Sequence, residues 1–408
     1  MGSIAIDDPA FDSARLRAWL YQSGFAPAAP SADGQARWVR YPGDARPGLP
    51  GAAVEVRLSR GAGGHLELAF VDSAGHPVEV EKRAFAATGP ITAFVDRHYR
   101  HYNAGVVGRA ARSWCTHLES GRRMLVSLAG AMSTAELGIS LAEMIRRGKV
   151  HAISCTGANL EEDIFLLMAR EHYRHVDWRA LSAEAEMSLL AEGFNRVTDV
   201  CIPERVMGDM AGLLEAAWAA AIEQGDPPRL PIDWMARALE LLFVERPELE
   251  ARRRDSWVCA ALAEGVPIWT PGWADSTLGN ALAAWCIRAE VAPHRLLLTD
   301  ADAMVELVKW YRRPENQHCG FFQIGGGIAG DFAICAVPLI TQDLKQPTAP
   351  WGYFCQIGDA PASYGGYSGA PPNEKITWGK ITSETPRFVI QSDATIVAPL
   401  IFGYVLGW

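Results

Sequence analysis

The 408-residue sequence has no cysteine pair at metal-ligand spacing, no block of basic residues, no apolar run long enough for a bilayer and, after His318, no histidine. Each absence removes a class of function. The eight cysteines (Cys115, Cys155, Cys201, Cys259, Cys286, Cys319, Cys335 and Cys355) are scattered, with no C-x-x-C pair and no histidine in ligand register. This pattern fits the reduced thiols of a cytoplasmic protein, so neither a metal site nor a disulfide frame is expected. With 38 Lys and Arg against 47 Asp and Glu, the net charge is −9, and no basic stretch compensates for it. A nucleic-acid surface is therefore not expected, whereas cationic small molecules suit the balance. The most apolar run, Ile396 to Trp408, contains Pro399 and is too short to span a membrane. Asp7 and Asp8 stand where a signal peptide would be apolar.

What is present reads as a globular protein, 49% hydrophobic and 21% charged. The length suits one large α/β domain, residues 88–408, with a small N-terminal α+β appendage, residues 1–87. In the appendage, Phe11 to Phe25 has helical spacing. Ala53–Arg60 and His65–Asp72 alternate apolar and polar residues around Gly61-Ala62-Gly63-Gly64, as a hairpin would, and a Pro- and Gly-rich link, Tyr41 to Gly51, precedes them. No chemistry is evident there; a structural or oligomer-capping element and a recognition module both remain open.

Thr88 to Tyr102 reads as a helix, after which a strand–loop–helix rhythm begins. Met124–Ala129 is an apolar strand. Ser133 and Glu136 then have the spacing of a capping box for a helix whose buried stripe is Leu137, Leu141, Met144 and Ile145, ended by Gly148. Val150–Cys155 is the next strand, so the unit is βαβ and the sheet parallel. Residues 182–253 read as mostly helical. Val266–Thr270, Gly320–Ile324, Trp351–Ile357 and Arg387–Gln391 complete the strands, a helix Phe332 to Leu339 follows the fourth of the six, and Ser392-Asp393 caps a last helix. The fold expected is a doubly wound, mainly parallel, Rossmann-like sheet.

Four loops could carry chemistry. Thr156-Gly157-Ala158-Asn159 leads into Leu160-Glu161-Glu162-Asp163 at a helix start, which suits a phosphate and a ribose hydroxyl, or a charge cluster satisfying the helix dipole. Asp275-Ser276-Thr277 is a site candidate and also a good helix cap. Gly325-Gly326-Gly327 is either a turn or a pyrophosphate cradle. Gly358 to Ala370 is a long glycine- and tyrosine-rich loop that includes Ser363 and Tyr364, a type more often functional than not. Beyond it, Lys380 stands one glycine from Trp378. A lysine in a partly dry pocket can form a Schiff base, and the alternative is an ordinary surface lysine.

The octapeptide Asn373-Glu374-Lys375-Ile376-Thr377-Trp378-Gly379-Lys380 resembles the active-site segment of the deoxyhypusine synthase family, whose Trp-Gly-Lys lysine carries a butyl imine. The resemblance runs collinearly over residues 88–408, through Glu161-Glu162-Asp163, Asn195-Arg196, Asp275 to Gly279, Gly325 to Gly327 and Ser392 to Thr395. The wording Gly-Gly-Gly-Ile-Ala-Gly-Asp-Phe is similar to the bacterial deoxyhypusine synthase-like branch. The resemblance implies NAD as cofactor, held by Gly130, Ser133, Thr134, Thr156, Gly157, Glu161, Glu162, Asp275, Thr277, Gly325, Gly327, Asp359, Asp393 and Ala394. It implies Lys380, Asp331, Glu374 and Trp378 at the reacting centre, and Asn280, Cys335, Gly366, Tyr367 and Ser368 around the substrate. It also implies a homotetramer with shared sites.

The sequence departs from that family at telling positions. Asp331 stands for the family's histidine, Asn280 and Tyr367 for two carboxylates, and Cys335 for an asparagine. Asp331 is left as a base, a cation anchor or neither. The expected reaction is transfer of an aminobutyl or guanidinobutyl group between small amines, as in homospermidine formation from spermidine or a related polyamine. Modification of a protein lysine, a silent dinucleotide-binding scaffold and an unrelated oxidoreductase are the alternatives.

Overall fold

The computed structural model describes residues 3–6, 20, 25–28, 36–40, 55–60, 66–74, 76–78, 89–362 and 365–408. The chain forms two compact units, Met1–Arg100 with Gly407–Trp408, and His101–Leu406.

The described part of the first unit is β-rich. Strands β1 (Ser3–Ile6), β2 (Phe25–Ala28), β3 (Ala36–Arg40), β4 (Glu55–Arg60) and β5 (Leu66–Val71) form an antiparallel sheet in the order β1-β5-β4-β3-β2. The expected hairpin is β4–β5, with Val56 opposite Phe70 and Leu58 opposite Leu68. Trp38, Val56, Leu68 and Phe70 lie on its buried side. Of the helix expected over Phe11–Phe25, only Leu20, helical and buried, and Phe25, which opens β2, are described. The link Tyr41–Gly51 and the turn Gly61–Gly64 lie outside the described residues. The helix expected over Thr88–Tyr102 is instead two helices, Pro90–His98 and Tyr102–Glu119, separated where Tyr102 adopts φ 49°.

The second unit is built on a parallel sheet of β6 (Met124–Leu128), β7 (Ala152–Cys155), β11 (Ile268–Trp269), β12 (Gly320–Ile324), β13 (Tyr353–Gly358) and β14 (Arg387–Gln391), in the order β11-β7-β6-β12-β13-β14. The first three strands run outward one way from β6 and the last three the other way, which is the doubly wound Rossmann order. Side chains alternate across each strand, so the two faces can be read separately. On one face Phe322 and Tyr353 meet the helices Tyr102–Glu119 and Ala394–Val405 through Trp114 and Phe402. On the other, Leu125, Phe321 and Phe354 pack with Trp351, Tyr311, Ala333 and Val337.

That second face carries a row of polar side chains in an otherwise apolar sheet. Ser154, Ser127, Gln323 and Gln356 stand side by side in register and are buried. Ser154 Oγ donates to Ala329 O at 2.7 Å, Gln323 Nε2 to Gly325 O at 2.8 Å, and Gln356 Nε2 to Ser368 O at 2.5 Å. Burying polar groups is favourable only with such partners, so the row fixes the loops above it.

Two expectations are corrected, and the mostly helical reading of residues 182–253 holds with two short strands added. The capping box at Ser133 and Glu136 does not form: the helix begins at Gly138, and Ser133 Oγ donates to Asn159 O at 2.7 Å while accepting from Trp257 Nε1 at 3.0 Å. A tertiary partner has replaced the local one. The helix after the triple glycine begins at Gly327, not Phe332, and so includes Asp331. The region 182–253 holds β9 (Phe194–Val197) and β10 (Val200–Pro203), which pair with β8 (Arg174–His175). Asn195 and Arg196 lie on β9, where Arg196 pairs with Glu186 at 2.6 Å and Asn195 bonds Glu204.

Candidate active site

Each loop expected to meet a dinucleotide leaves the carboxyl edge of the parallel sheet. Gly130 follows β6, Thr156 and Gly157 follow β7, Asp275 and Thr277 follow β11, Gly325 and Gly327 follow β12, Asp359 follows β13, and Asp393 and Ala394 follow β14. Strand order reverses between β6 and β12, and in open α/β sheets this reversal opens the crevice in which ligands bind. The two loops are tied there: Ala129 N–H donates to Ile324 O at 3.0 Å, and Gly130, Gly325 and Gly327 have φ of 65°, 72° and 63°. Only glycine adopts such angles readily.

The structure adds a motif that the sequence reading left incomplete. Gly325-x-Gly327-x-x-Gly330 is a full G-x-G-x-x-G placed after a strand and at the start of a helix. A Cβ on Gly330 would stand 3.0 Å from the Gln323 side chain and from Tyr367 Cε1, so this glycine lets the helix approach the strand. The signal was the spacing to Gly330, hidden by the run of three glycines. These loops fit a dinucleotide's pyrophosphate, with backbone exposed at a helix start.

Asn159, fully buried, organises the neighbouring loop. Its Nδ2 donates to Gly130 O and Thr156 Oγ1, both at 2.8 Å, and Thr156 Oγ1 donates to Gly130 O at 2.7 Å. The three acids that follow divide their work. Glu161 accepts from the N–H groups of Thr277 and Leu278 at 2.9 and 2.8 Å, and Asp163 accepts from Ser256 Oγ at 2.5 Å and from the N–H groups of Trp257 and Val258. Each thus caps another helix. Glu162 Oε2 and Thr134 Oγ1 are buried without a partner among the described residues, and the Thr134 N–H donates to the Glu162 carboxyl. Glu162, not Glu161, is the acid left with an unpartnered oxygen among the described residues.

Burial, then the adjacent Glu161, pushes the Glu162 carboxyl up to about 8. A raised folded-state value means that the native state holds the proton more tightly, so stability is full below the ordinary carboxyl range and falls as pH rises through about 8. Glu162→Gln is therefore expected to flatten the decline of Tm between pH 5 and 9 (roughly the window that the shift defines) and to raise Tm at its upper end. Thermal melts across that window check this.

Several of the residues expected to react lie on the face of the sheet that carries the polar row. Lys380 is 6% exposed and its Nζ stands 3.3 Å from Asp331 Oδ1, on the helix Gly327–Ile334. Cys335, one turn further on, places Sγ 3.7 Å from the same oxygen. The Nζ lies 5.7 Å from the Tyr367 ring centre and 5.8 Å from that of Trp378, within cation–π range. Tyr367 OH donates to Gln323 Oε1 at 2.8 Å, joining the ring to the polar row.

Local sequence explains how Lys380 gets there. The short helix Glu374–Thr377 ends at Trp378, and Gly379 turns left-handed at φ 68°. Gly379 N–H donates to Ile376 O at 2.9 Å and Lys380 N–H to Lys375 O at 3.0 Å, the paired bonds of a Schellman cap. The Trp-Gly-Lys wording is thus a helix ending that folds Lys380 back beside Lys375. Trp351 N–H to Lys380 O, at 3.0 Å, then anchors it to the start of β13.

Other residues expected at the site take varied positions. Gly366 and Ser368 flank Tyr367, and a Cβ on Gly326 would overlap Ser368, so this loop lies on the triple glycine. Ser363 and Tyr364 fall outside the described residues. Glu374 and Asp275 are exposed. Asp359 is exposed, and Asp393 caps the helix Ala394–Val405 by accepting Thr395 N–H at 2.8 Å. Asn280 Nδ2 is tied to Ser276 O at 2.8 Å, at the head of the helix Thr277–Ala289. Ser133 is buried in the Asn159 network already described. A cavity of about 280 Å³ lined by Ser133, Asp163, Arg170 and Ser256 does not include Lys380. Among the described residues no His, Cys, Asp and Glu cluster could hold a metal ion, and no helix is long and apolar enough to cross a membrane.

The family described as "DS: Deoxyhypusine synthase" matches residues 97–405, spanning the whole parallel sheet and Lys380. The chain belongs to the deoxyhypusine synthase family. A deoxyhypusine synthase-like protein of Nostoc sp. is 30% identical over 323 residues, 77% of this chain and 80% of the relative. One of Thermosynechococcus vestitus is 26% identical over 324 residues, 78% of each chain. A solved structure titled as a deoxyhypusine synthase of Entamoeba histolytica aligns at TM-score 0.46 and 14% identity, covering 76% of this chain and 91% of its own, and carries no part of the argument. As a deoxyhypusine synthase family member, the chain has a fold consistent with dinucleotide binding, and the departures at Asp331, Cys335 and Tyr367 meet around one lysine.

Proposed function

We propose that this chain transfers a four-carbon aminobutyl or guanidinobutyl group from a polyamine or related amine to a small amine acceptor, with NAD as cofactor and Lys380 as the imine-forming residue. The observation that carries the reading is a lysine nearly closed to solvent, held by one carboxylate between aromatic rings. A scaffold would have no use for such an amine, since burying it costs stability.

NAD, when bound, supplies a hydride acceptor and later a donor; Gly325, Gly327, Gly130, Thr134 and Glu162 are the residues that would hold it. The Lys380 amine adds to the oxidised carbon of the donor, the departing diamine leaves, and the four-carbon unit remains on Lys380 until the acceptor amine displaces it. Asp331 is half-exposed, so one side holds Lys380 while the other is open to a substrate cation. Trp378, 60% exposed, offers a face against the carbon chain. Residues 88–408 form the catalytic domain in this reading, in a cytoplasmic homotetramer.

The test is mass spectrometry after borohydride trapping, with NAD and, separately, putrescine, spermidine or agmatine. A four-carbon adduct on Lys380 supports the reading and names the donor. NAD binding without an adduct from any amine removes it and leaves a scaffold or a different dehydrogenase. Asp331→Asn is expected to slow adduct formation about a hundred-fold and to lower the melting temperature, because it leaves the buried Lys380 without its carboxylate partner. Trapping kinetics and thermal melts read the two effects.

A further inference from the structure

Lys375 is the one buried group in this centre to which no role has been given. It is 3% exposed, and its Nζ has a single hydrogen-bond acceptor, Ala370 O at 3.5 Å. It lies over two ring faces, Phe354 at 4.8 Å and Tyr367 at 4.9 Å. Among the described residues no carboxylate pairs with it. An ammonium has three donors, so this surrounding satisfies a neutral amine better than a charged one. The Schellman cap sets Lys375 and Lys380 side by side, and both nitrogens lie over the same Tyr367 ring.

The chemistry of imine formation requires such a group. Lys380 can attack only as a free amine, so its ammonium must first give up a proton. Asp331 is poorly suited to take it, because a carboxylate is a far weaker base than an amine. The Tyr367 hydroxyl and Cys335 thiol are both held protonated by burial, being pushed up from their ordinary values. Resting on the transfer reading above, we propose that Lys375 is the proton acceptor that frees Lys380 for attack, directly or through one water.

The neutral Lys375 amine takes a proton from the Lys380 ammonium and becomes an ammonium itself. The lone pair released on Lys380 forms the C–N bond to the oxidised donor carbon. As it forms, the C=N π pair of the oxidised donor moves onto the donor nitrogen, which takes a proton from the Lys380 nitrogen. The C–N bond to the departing amine then breaks with its pair leaving on that neutral amine, the Lys380 nitrogen's own pair closes the new C=N bond, and the oxidation level of the carbon is unchanged. Burial, then the charge of Lys380, lowers Lys375 to about 8, with Glu374 and Asp331 acting in the opposite sense. An amine near that value is poised for proton transfer at neutral pH. Because the folded-state value is depressed, the buried ammonium costs stability below about 8, and the cost is relieved as pH rises from there towards the ordinary lysine range.

The test measures the rate of Lys380 adduct formation, trapped with borohydride in the presence of NAD and the productive amine, across pH 6 to 10 (roughly the window set by the lowered value). Wild-type protein is expected to show a rate that rises through about 8. Lys375→Met keeps the stem without the amine, and Lys375→Arg keeps a charge that cannot be released. Both are expected to lose that limb and to be slower by about a hundred-fold at neutral pH. Lys375→Met should at the same time melt at a higher temperature at neutral pH and still bind NAD, a combination that damaged folding does not produce. An unchanged rate and pH profile in Lys375→Met overturns this inference alone. Wild-type protein that forms no adduct at any pH overturns it together with the transfer reading.

Discussion

Lys380→Ala is expected to leave no borohydride-trappable adduct and no measurable group transfer, while NAD binding persists and the melting temperature stays level or rises. The reason is spatial. Lys380 is buried to 6% exposure and its Nζ meets Asp331 and two aromatic rings, so in the proposed route the amine serves chemistry and not packing. The loops proposed to hold the cofactor, at the carboxyl ends of β6, β7 and β12, are held by Asn159, Gln323 and backbone bonds that Lys380 does not join. Some oxidation of the donor amine is expected to remain, because in the proposed route hydride transfer precedes lysine attack. Lys380→Arg should not restore transfer, since a guanidinium stays charged. An alanine variant that still transferred the four-carbon unit would remove the lysine from the mechanism, and quantifying products by mass spectrometry decides it.

Gly379→Ala is expected to impair catalysis far more than stability. Gly379 sits at φ 68°, where an L-residue pays about 1–2 kcal/mol. A Cβ there has open space, with Gln342 Nε2 the nearest atom at 3.9 Å, so the cost is torsional and not a clash. If the cap relaxes to relieve that strain, the Lys380 N–H leaves Lys375 O, and the side chain shifts relative to Asp331. A displacement of about 1 Å at a reacting centre can lower the rate about a hundred-fold. Gly379→Asn should recover part of the loss, because asparagine tolerates the left-handed region. Adduct-formation rates beside thermal melts for the two variants make the comparison; equal rates for alanine and glycine would show that the cap does not position Lys380.

Much of the fold was legible because the second unit obeys simple patterning. The inner strands of its parallel sheet, β6, β7, β12 and β13, are buried along almost their whole length and read as short, mostly apolar runs, and β6, β12, β13 and β14 fall within two residues of the stretches expected. Alternation likewise marked the β4–β5 hairpin. Where the expectation failed, a distant partner had outbid a local one. Ser133 has the spacing of a cap but gives its hydroxyl to Asn159, 26 residues away. The short strands β9 and β10 lie in a region whose composition favours helix and are defined by pairing with each other.

By itself the sequence determined the class of fold, the loops that border the switch point and the lysine to examine, because backbone rules and motif spacing are local. Tertiary structure alone decided which acid keeps a free oxygen. Glu161, Glu162 and Asp163 are adjacent carboxylates, yet two are taken by helix starts more than ninety residues away. It also brought Ser154, Ser127, Gln323 and Gln356 into one buried row, and Asp331, Tyr367 and Lys375 around Lys380. Hydrogen bonding and desolvation depend on what lies across the fold, and sequence spacing carries no record of that.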